Sequence, residues 1–204
     1  MIQKILLIIT ICITAAAFSC NSGKTKIDDQ IKKSINTNPF FPVAEGNKWV
    51  YVNEGQRDET EIFTVEANDI KKTEGGIQLK VTSFPYLTKD NTERTIKVND
   101  AGEISISDYM GTSGVIFPAA ENFKEGYEWS FGIFKGYIAG LKETAVTEDG
   151  TYDDCVYVKM TDGFTFSYEM WFKKDIGIVK WGANRTNPPT LKAVYYVLKD
   201  HSVK

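Results

Sequence analysis

The chain predicts a mainly all-β fold: a strongly curved antiparallel meander, half-barrel or open barrel, preceded by one short helix. Three observations carry this expectation. The first is an apolar period of two, clearest over 164–181, FTFSYEMWFKKDIGIVKW. There Phe164, Phe166, Tyr168, Met170 and Phe172 share one side of an extended chain, and Thr165, Ser167, Glu169 and Lys173 share the other. The second is the recurrence of tight-turn chemistry at Glu54-Gly55, Gly75-Gly76, Asp100-Ala101-Gly102, Asp149-Gly150 and Asp162-Gly163. Such short connections make sequence neighbours pair as a meander. The third is the spacing of Gly132, Gly136 and Gly140, four apart. In a strand these share one face and clear it for sharp bending or the close approach of another group. No βαβ alternation points to a parallel sheet.

The elements follow in order. Residues 1–20 read as a targeting segment, with Lys4 ahead of the apolar run ILLIITICITAAAF and Ser19-Cys20 behind it. That run is shorter than the roughly 20 residues a membrane-crossing helix needs, so it predicts a cleaved signal peptide. Residues 21–38 form a small, polar tether in which Ile27, Ile31 and Ile35 recur at a spacing of four, with Asp28 and Asp29 early and Lys32 and Lys33 late. This pattern suits a short amphipathic helix whose charges complement its dipole. Asn38-Pro39 ends it, and 39–204 reads as a single β domain. Strands are expected over 48–53, 59–67, 76–84, 93–98, 103–107, 128–135, 137–147, 155–161, 164–173, 178–181 and 191–199. Trp171 stands on the face opposite Met170, which predicts a central strand covered on both sides.

One pattern occurs twice. Phe41-Pro42 leads to Glu45-Gly46-Asn47-Lys48-Trp49-Val50-Tyr51, and Phe117-Pro118 leads to Glu125-Gly126-Tyr127-Glu128-Trp129-Ser130-Phe131. Proline stops the incoming segment from pairing, glycine permits a tight turn, and Trp and the aromatic residue two positions on share a face of the new strand. The echo predicts two similar strand starts plugging the ends of one core. As a functional feature it would supply two aromatic platforms.

Composition excludes several functions. The balance of 24 Lys plus Arg against 27 Asp plus Glu is scattered along the chain, so no basic stripe offers a nucleic-acid surface. One histidine, His201, and few cysteines leave no metal set, and no cofactor motif is present. Cys155 reads as an inert core thiol, because its only histidine partner would be His201 near the chain end. Paired carboxylates are the remaining enzymatic route. Asp153-Asp154 and Glu169 are the candidates for a carboxylate-based hydrolase, although each also reads as solvated surface. The leading expectation is a non-enzyme with no catalytic residue.

The end of the leader, Ala17-Phe18-Ser19-Cys20, resembles the lipobox of bacterial lipoproteins, which implies a lipid anchor on Cys20. An ordinary secretory cut near Ala15 to Ala17 is the alternative. No acidic residue follows Cys20 before Asp28, and the resemblance to lipoprotein sorting then implies the outer membrane over the inner. The body, with Phe-Pro-x3-Gly-x2-Trp-x-Tyr at 41–51 and Asp175-Ile176-Gly177-Ile178-Val179-Lys180 late in the chain, resembles TapB-like bacterial lipoproteins. Their fold is similar to the curved half-barrel of the LolA and LppX carriers. This implies a lipid-anchored envelope protein with a non-catalytic binding or scaffolding role towards an apolar ligand or an envelope protein. A surface-exposed structural lipoprotein is the alternative. A ligand site is expected along Phe166, Tyr168 and Met170, with Trp129.

Overall fold

Among the described residues, alternating apolar positions form twelve strands: β1 Lys48–Asn53, β2 Phe63–Thr73, β3 Gly76–Thr82, β4 Glu93–Asn99, β5 Ile104–Tyr109, β6 Thr112–Phe117, β7 Glu128–Phe131, β8 Phe134–Val146, β9 Thr151–Thr161, β10 Phe166–Lys173, β11 Gly177–Arg185 and β12 Val194–Ser202. The structure is a computed structural model, and it describes residues 38–54, 63–82, 93–109, 112–185 and 193–203. The leader, Cys20, the tether and the helix expected over Ile27 to Ile35 lie outside the described residues.

All twelve strands belong to one sheet, in the order β6-β5-β4-β3-β2-β1-β12-β11-β10-β9-β8-β7. Every ladder is antiparallel, and the sheet curls into a nearly closed barrel, as the sequence predicts. β1 and β12 pair in the middle of the order, with Trp49 opposite His201 and Val52 opposite Val197. The two edge strands, β6 and β7, meet at a seam with no strand ladder. Side chains close it instead. The Trp129 indole N–H donates to the Ile116 carbonyl at 3.1 Å, and the Phe131 ring packs against Gly114.

Twelve strands about 4.8 Å apart enclose a ring on the order of 18 Å across, which only large side chains can fill. Phe117 on β6 meets Phe172 on β10 edge-on with ring centroids 4.8 Å apart. Trp181 stacks on Tyr196 at 4.4 Å. Tyr51, fully buried, donates its hydroxyl to the Ile178 carbonyl at 2.7 Å; burial drives its pKa far up, so it stays a neutral donor.

Because the sheet is a meander, odd-numbered strands all start at one end of the barrel, here the base, and finish at the other, the mouth. Both copies of the repeated pattern therefore lie at the base, and neither plugs the mouth as the sequence suggested. Their geometry is nearly superimposable. Gly46 and Gly126 both have φ +78°. Asn47 N–H donates to Ala44 and Tyr127 N–H to Lys124, each at 3.0 Å. The glycine N–H groups then reach Ala67 on β2 and Ile138 on β8, at 2.8 and 2.9 Å. Each pattern thus builds a turn in which glycine takes the left-handed position and hands the chain to its neighbouring strand.

The base is sealed around these turns. Phe41 contacts Phe117 and Trp49, Phe40 stacks on Phe123 at 4.6 Å, and the Trp49 indole donates to the Ile176 carbonyl at 2.6 Å. Asn38, 1% exposed, donates to the carbonyls of Gly102 at 2.9 Å and Pro118 at 3.1 Å, tying the start of the domain to two separate turns.

Three expectations need correction. β6 is a strand in a stretch, 108–127, where the sequence predicts none; here pairing with β5 overrides weak local preference. The reversal between β7 and β8 falls at Gly132-Ile133, not at Gly136, because Gly132 takes φ +58°. The last strand runs past its expected end at 199 and takes in His201, whose Nδ1 is 3.1 Å from Asp149 on the β8–β9 turn.

Asn38→Ala leaves two buried carbonyls without their donor and is expected to lower unfolding free energy by about 1–3 kcal/mol. Urea denaturation with an unchanged far-ultraviolet spectrum checks this; a loss too small to measure would mean that the base does not depend on this tie.

Candidate functional site at the barrel mouth

Residues paired across antiparallel strands share a face of the sheet, so the register shows which candidates converge. Trp129 pairs with Gly136, Gly136 with Met160, and Met160 with Tyr168. Met160 is 1% exposed, so this row faces the interior. Phe166 and Met170, two positions either side of Tyr168, share that face. All four residues expected from the sequence therefore lie on one inner wall, with Trp129 three strands from Tyr168.

Along β10 this wall grades from solvent to core. Phe166 is 38% exposed, Tyr168 is half-buried, and Met170 is 0% exposed. Tyr168 stands between two rings, Phe166 at 6.4 Å and Phe134 at 5.6 Å. Burial, followed by the charge of Asp162, raises its pKa, so its hydroxyl remains protonated at neutral pH. Met170 is core, which corrects its assignment as a contact residue. Trp129 is a closing residue: its ring lies so tightly over Gly136 that a Cβ there would come within 2.3 Å of it. Of the expected set, Phe166 and Tyr168 alone face the mouth. Phe134 joins them and was missed, because the sequence reading placed the β7–β8 turn four residues late; its alternation with Gly136 and Ile138 is the signal that identifies it.

The β9–β10 turn sets the rim. The Asp162 carboxylate accepts N–H groups from Phe164, Thr165 and Phe166 at 2.9, 2.7 and 2.9 Å, around Gly163 at φ +79°. Phe164, expected on the apolar face of the strand, instead sits in this turn, 82% exposed. Desolvation is the largest single influence on the Asp162 carboxyl and raises its pKa, but the backbone N–H groups of Phe166, Phe164, Thr165 and Asp162 together outweigh it and hold the carboxyl below its usual range.

The outer face of β9–β12 carries a separate cluster. Trp171 stacks on its register partner Tyr157 at 4.6 Å and meets Tyr195 edge-on at 6.0 Å. Lys180 Nζ lies over the rings of Trp171 and Tyr195 and is held by both Glu54 oxygens, at 2.9 and 3.0 Å. Glu169 accepts the Tyr195 hydroxyl at 2.6 Å and faces Tyr157 and Lys159. Gly182 lets the Tyr195 ring cross β11, since a Cβ there would approach that ring to 2.4 Å. Trp171 is thus covered on the outer face by neighbouring side chains.

The carboxylate candidates do not converge. Glu169 pairs with Lys159, six positions from Asp153 along β9, or about 20 Å of strand, whereas paired catalytic carboxylates stand roughly 5–9.5 Å apart. Asp154 has φ +53°, a backbone state that Asp tolerates better than most residues, and Asp153 accepts from Thr144. Cys155 is 0% exposed, donates to the Tyr152 carbonyl at 3.3 Å, and is pushed up to about 11 chiefly by burial. Among the described residues no three His, Cys, Asp or Glu side chains form a metal-sized group. A surface depression of about 280 Å³, lined by Val52, Asn53, Glu148 and Lys199, involves none of Phe134, Phe166 and Tyr168.

No protein-family model matches the chain, and neither does any curated protein. Among solved structures it is similar to a "putative exported protein with YmcC-like fold" from Bacteroides fragilis, at 16% identity and a TM-score of 0.51, covering 81% of this chain and 99% of that one. It is also similar to a "putative lipoprotein" from Parabacteroides distasonis, at 13% identity and a TM-score of 0.41, covering 82% and 100%. The likeness to the first is one of fold, and it extends over nearly the whole of that chain.

Two outcomes are expected. Asp162→Ala removes an acceptor shared by three N–H groups and should cost roughly 1 kcal/mol. A carboxyl whose pKa is depressed in the folded state stabilises fully above its unfolded value, near 4. That contribution fades as pH falls through the lower folded value, so the gap in melting temperature between parent and variant should close in acid. Cys155 should react with a thiol reagent only after denaturant is added; rapid reaction of the native protein at neutral pH would contradict its burial.

Proposed function

We propose that the protein is a lipid-anchored cell-envelope lipoprotein with a non-catalytic binding role, taking an apolar ligand at the barrel mouth. The observation that carries this reading is the graded inner wall, from half-exposed Phe166 through Tyr168 and Phe134 to buried Met170. An aromatic wall open at one end and packed below it suits a ligand whose apolar part enters the rim and stops above Met170. The sealed base and ring-filled interior argue against a conduit through the barrel. Anchoring rests on the leader and Cys20, and the description of the Bacteroides fragilis relative as exported is in keeping with it. Outer-membrane placement rests on the resemblance to lipoprotein sorting, with no acidic residue between Cys20 and Asp28. The packed interior also supports a second reading, a structural lipoprotein that binds an envelope protein and holds no ligand.

Titration with the apolar fluorophore N-phenylnaphthylamine separates the two. Tyr168→Glu places a charge in the wall and should weaken binding about tenfold or more, while Tyr168→Phe should bind like the parent. Equal binding by all three, or none by the parent, sinks the ligand reading. Cys20→Ala should move the protein from the membrane to the soluble fraction; a variant that stays membrane-bound would rule out the anchor.

A further inference from the structure

The turns β7–β8 and β9–β10 carry large apolar side chains at their tips, held largely in solvent. Ile133 is 75% exposed and Phe164 82% exposed, more than any other large apolar side chain among the described residues. Both tips are built, not slack. Gly132 and Gly163 take φ +58° and +79°, and the Asp162 carboxylate fixes the tip by accepting the N–H groups of Phe164, Thr165 and Phe166. The two hairpins are neighbours in the sheet, so their tips stand two strand spacings apart, about 10 Å. Phe166, at 38%, and Val194, at 43%, extend the apolar surface at the same end of the barrel.

We propose that Ile133 and Phe164 insert into a lipid bilayer, so that the mouth opens onto the membrane surface. Size and shape favour a bilayer over a protein partner. The two tips expose on the order of 300 Å², well short of the roughly 800 Å² that each side of a stable protein interface contributes. They also project as separate points, and a bilayer takes in such side chains singly without needing a complementary surface.

The tether length allows this orientation. Residues 21–37 number 17 and span at most about 60 Å if extended, or about 40 Å with the helix expected over Ile27 to Ile35 formed. The longest strand, β8, has 13 residues, or about 43 Å of path and, at the usual tilt of barrel strands, on the order of 33 Å of height. A chain anchored at Cys20 and joining the domain at its base can therefore run the length of the barrel and leave the mouth against the membrane. That orientation rests on the anchor and ligand readings above, whereas the contact of the tips with lipid does not. If both hold, an apolar ligand passes between bilayer and barrel without crossing water.

Photo-crosslinking of the full-length, membrane-bound protein tests this, with p-benzoylphenylalanine placed singly at Ile133, Phe164, Tyr168 and, at the base, exposed Glu74. The vesicles are phosphatidylethanolamine with phosphatidylglycerol. Phospholipid adducts at Ile133 and Phe164, several-fold above those at Glu74, are expected. Combining Ile133→Asp with an adjacent probe at Phe164 should reduce the Phe164 adduct. Tip adducts no more frequent than at Glu74 overturn the proposal. So do tip adducts in native membranes that are to a protein and not to lipid. An adduct at Tyr168 without tip adducts supports the ligand reading alone, and tip adducts without one at Tyr168 support membrane contact alone.

Discussion

The pairing of β1 with β12 is the constraint on which the rest of the barrel depends. Every other ladder joins strands that follow one another in the chain, and each can form by local hairpin closure. The β1–β12 ladder instead sets residues 48–53 against 196–202, closing a loop of nearly the whole domain, with a chain-entropy cost that grows only logarithmically with length. Once it forms, two six-stranded meanders become one continuous sheet with a common interior. Its outer strands, β6 and β7, are then brought edge to edge.

That closure is uneven for a physical reason. β1 begins after the Phe41-Pro42 turn and finds β12 as a hydrogen-bonding neighbour. β7 begins after the equivalent Phe117-Pro118 turn and meets β6 only through side chains. The two tryptophans of the repeated pattern mark the difference. Trp49 is buried and bonds to the β10–β11 turn, while Trp129 is half-exposed and bonds across the seam. An exposed ladder edge invites pairing with other chains, and here the two edges shield one another.

The same arrangement separates stability from function. At the base, two glycine turns, Asn38 and a cluster of phenylalanines close the barrel. At the mouth, aromatic side chains on β8 and β10 pass gradually from solvent to core, and the apolar tips of two hairpins stand beyond them. A ligand or a membrane can engage this end without disturbing the packing that holds the sheet together. On the outer face, Trp171 has one side against Tyr157, with Tyr195 and Lys180 over the rest, and so offers no flat aromatic platform.

Period-two alternation, turn residues and the repeated Glu-Gly-x-x-Trp pattern were enough to identify an all-β meander and to place β1 and most later strands within a few residues, because these features act through local backbone geometry. Phe166 and Tyr168 were legible as one face of one strand for the same reason. Three things were decided only by tertiary structure: that Trp129 lies on the same inner wall three strands from Tyr168, that Met170 is buried core, and that Phe164 is a turn tip instead of a strand residue. Alternation fixes which residues share a face, but not how far along that face solvent reaches. That depth is set by where neighbouring strands end, by the register between them, and by the meeting of two strands 150 residues apart.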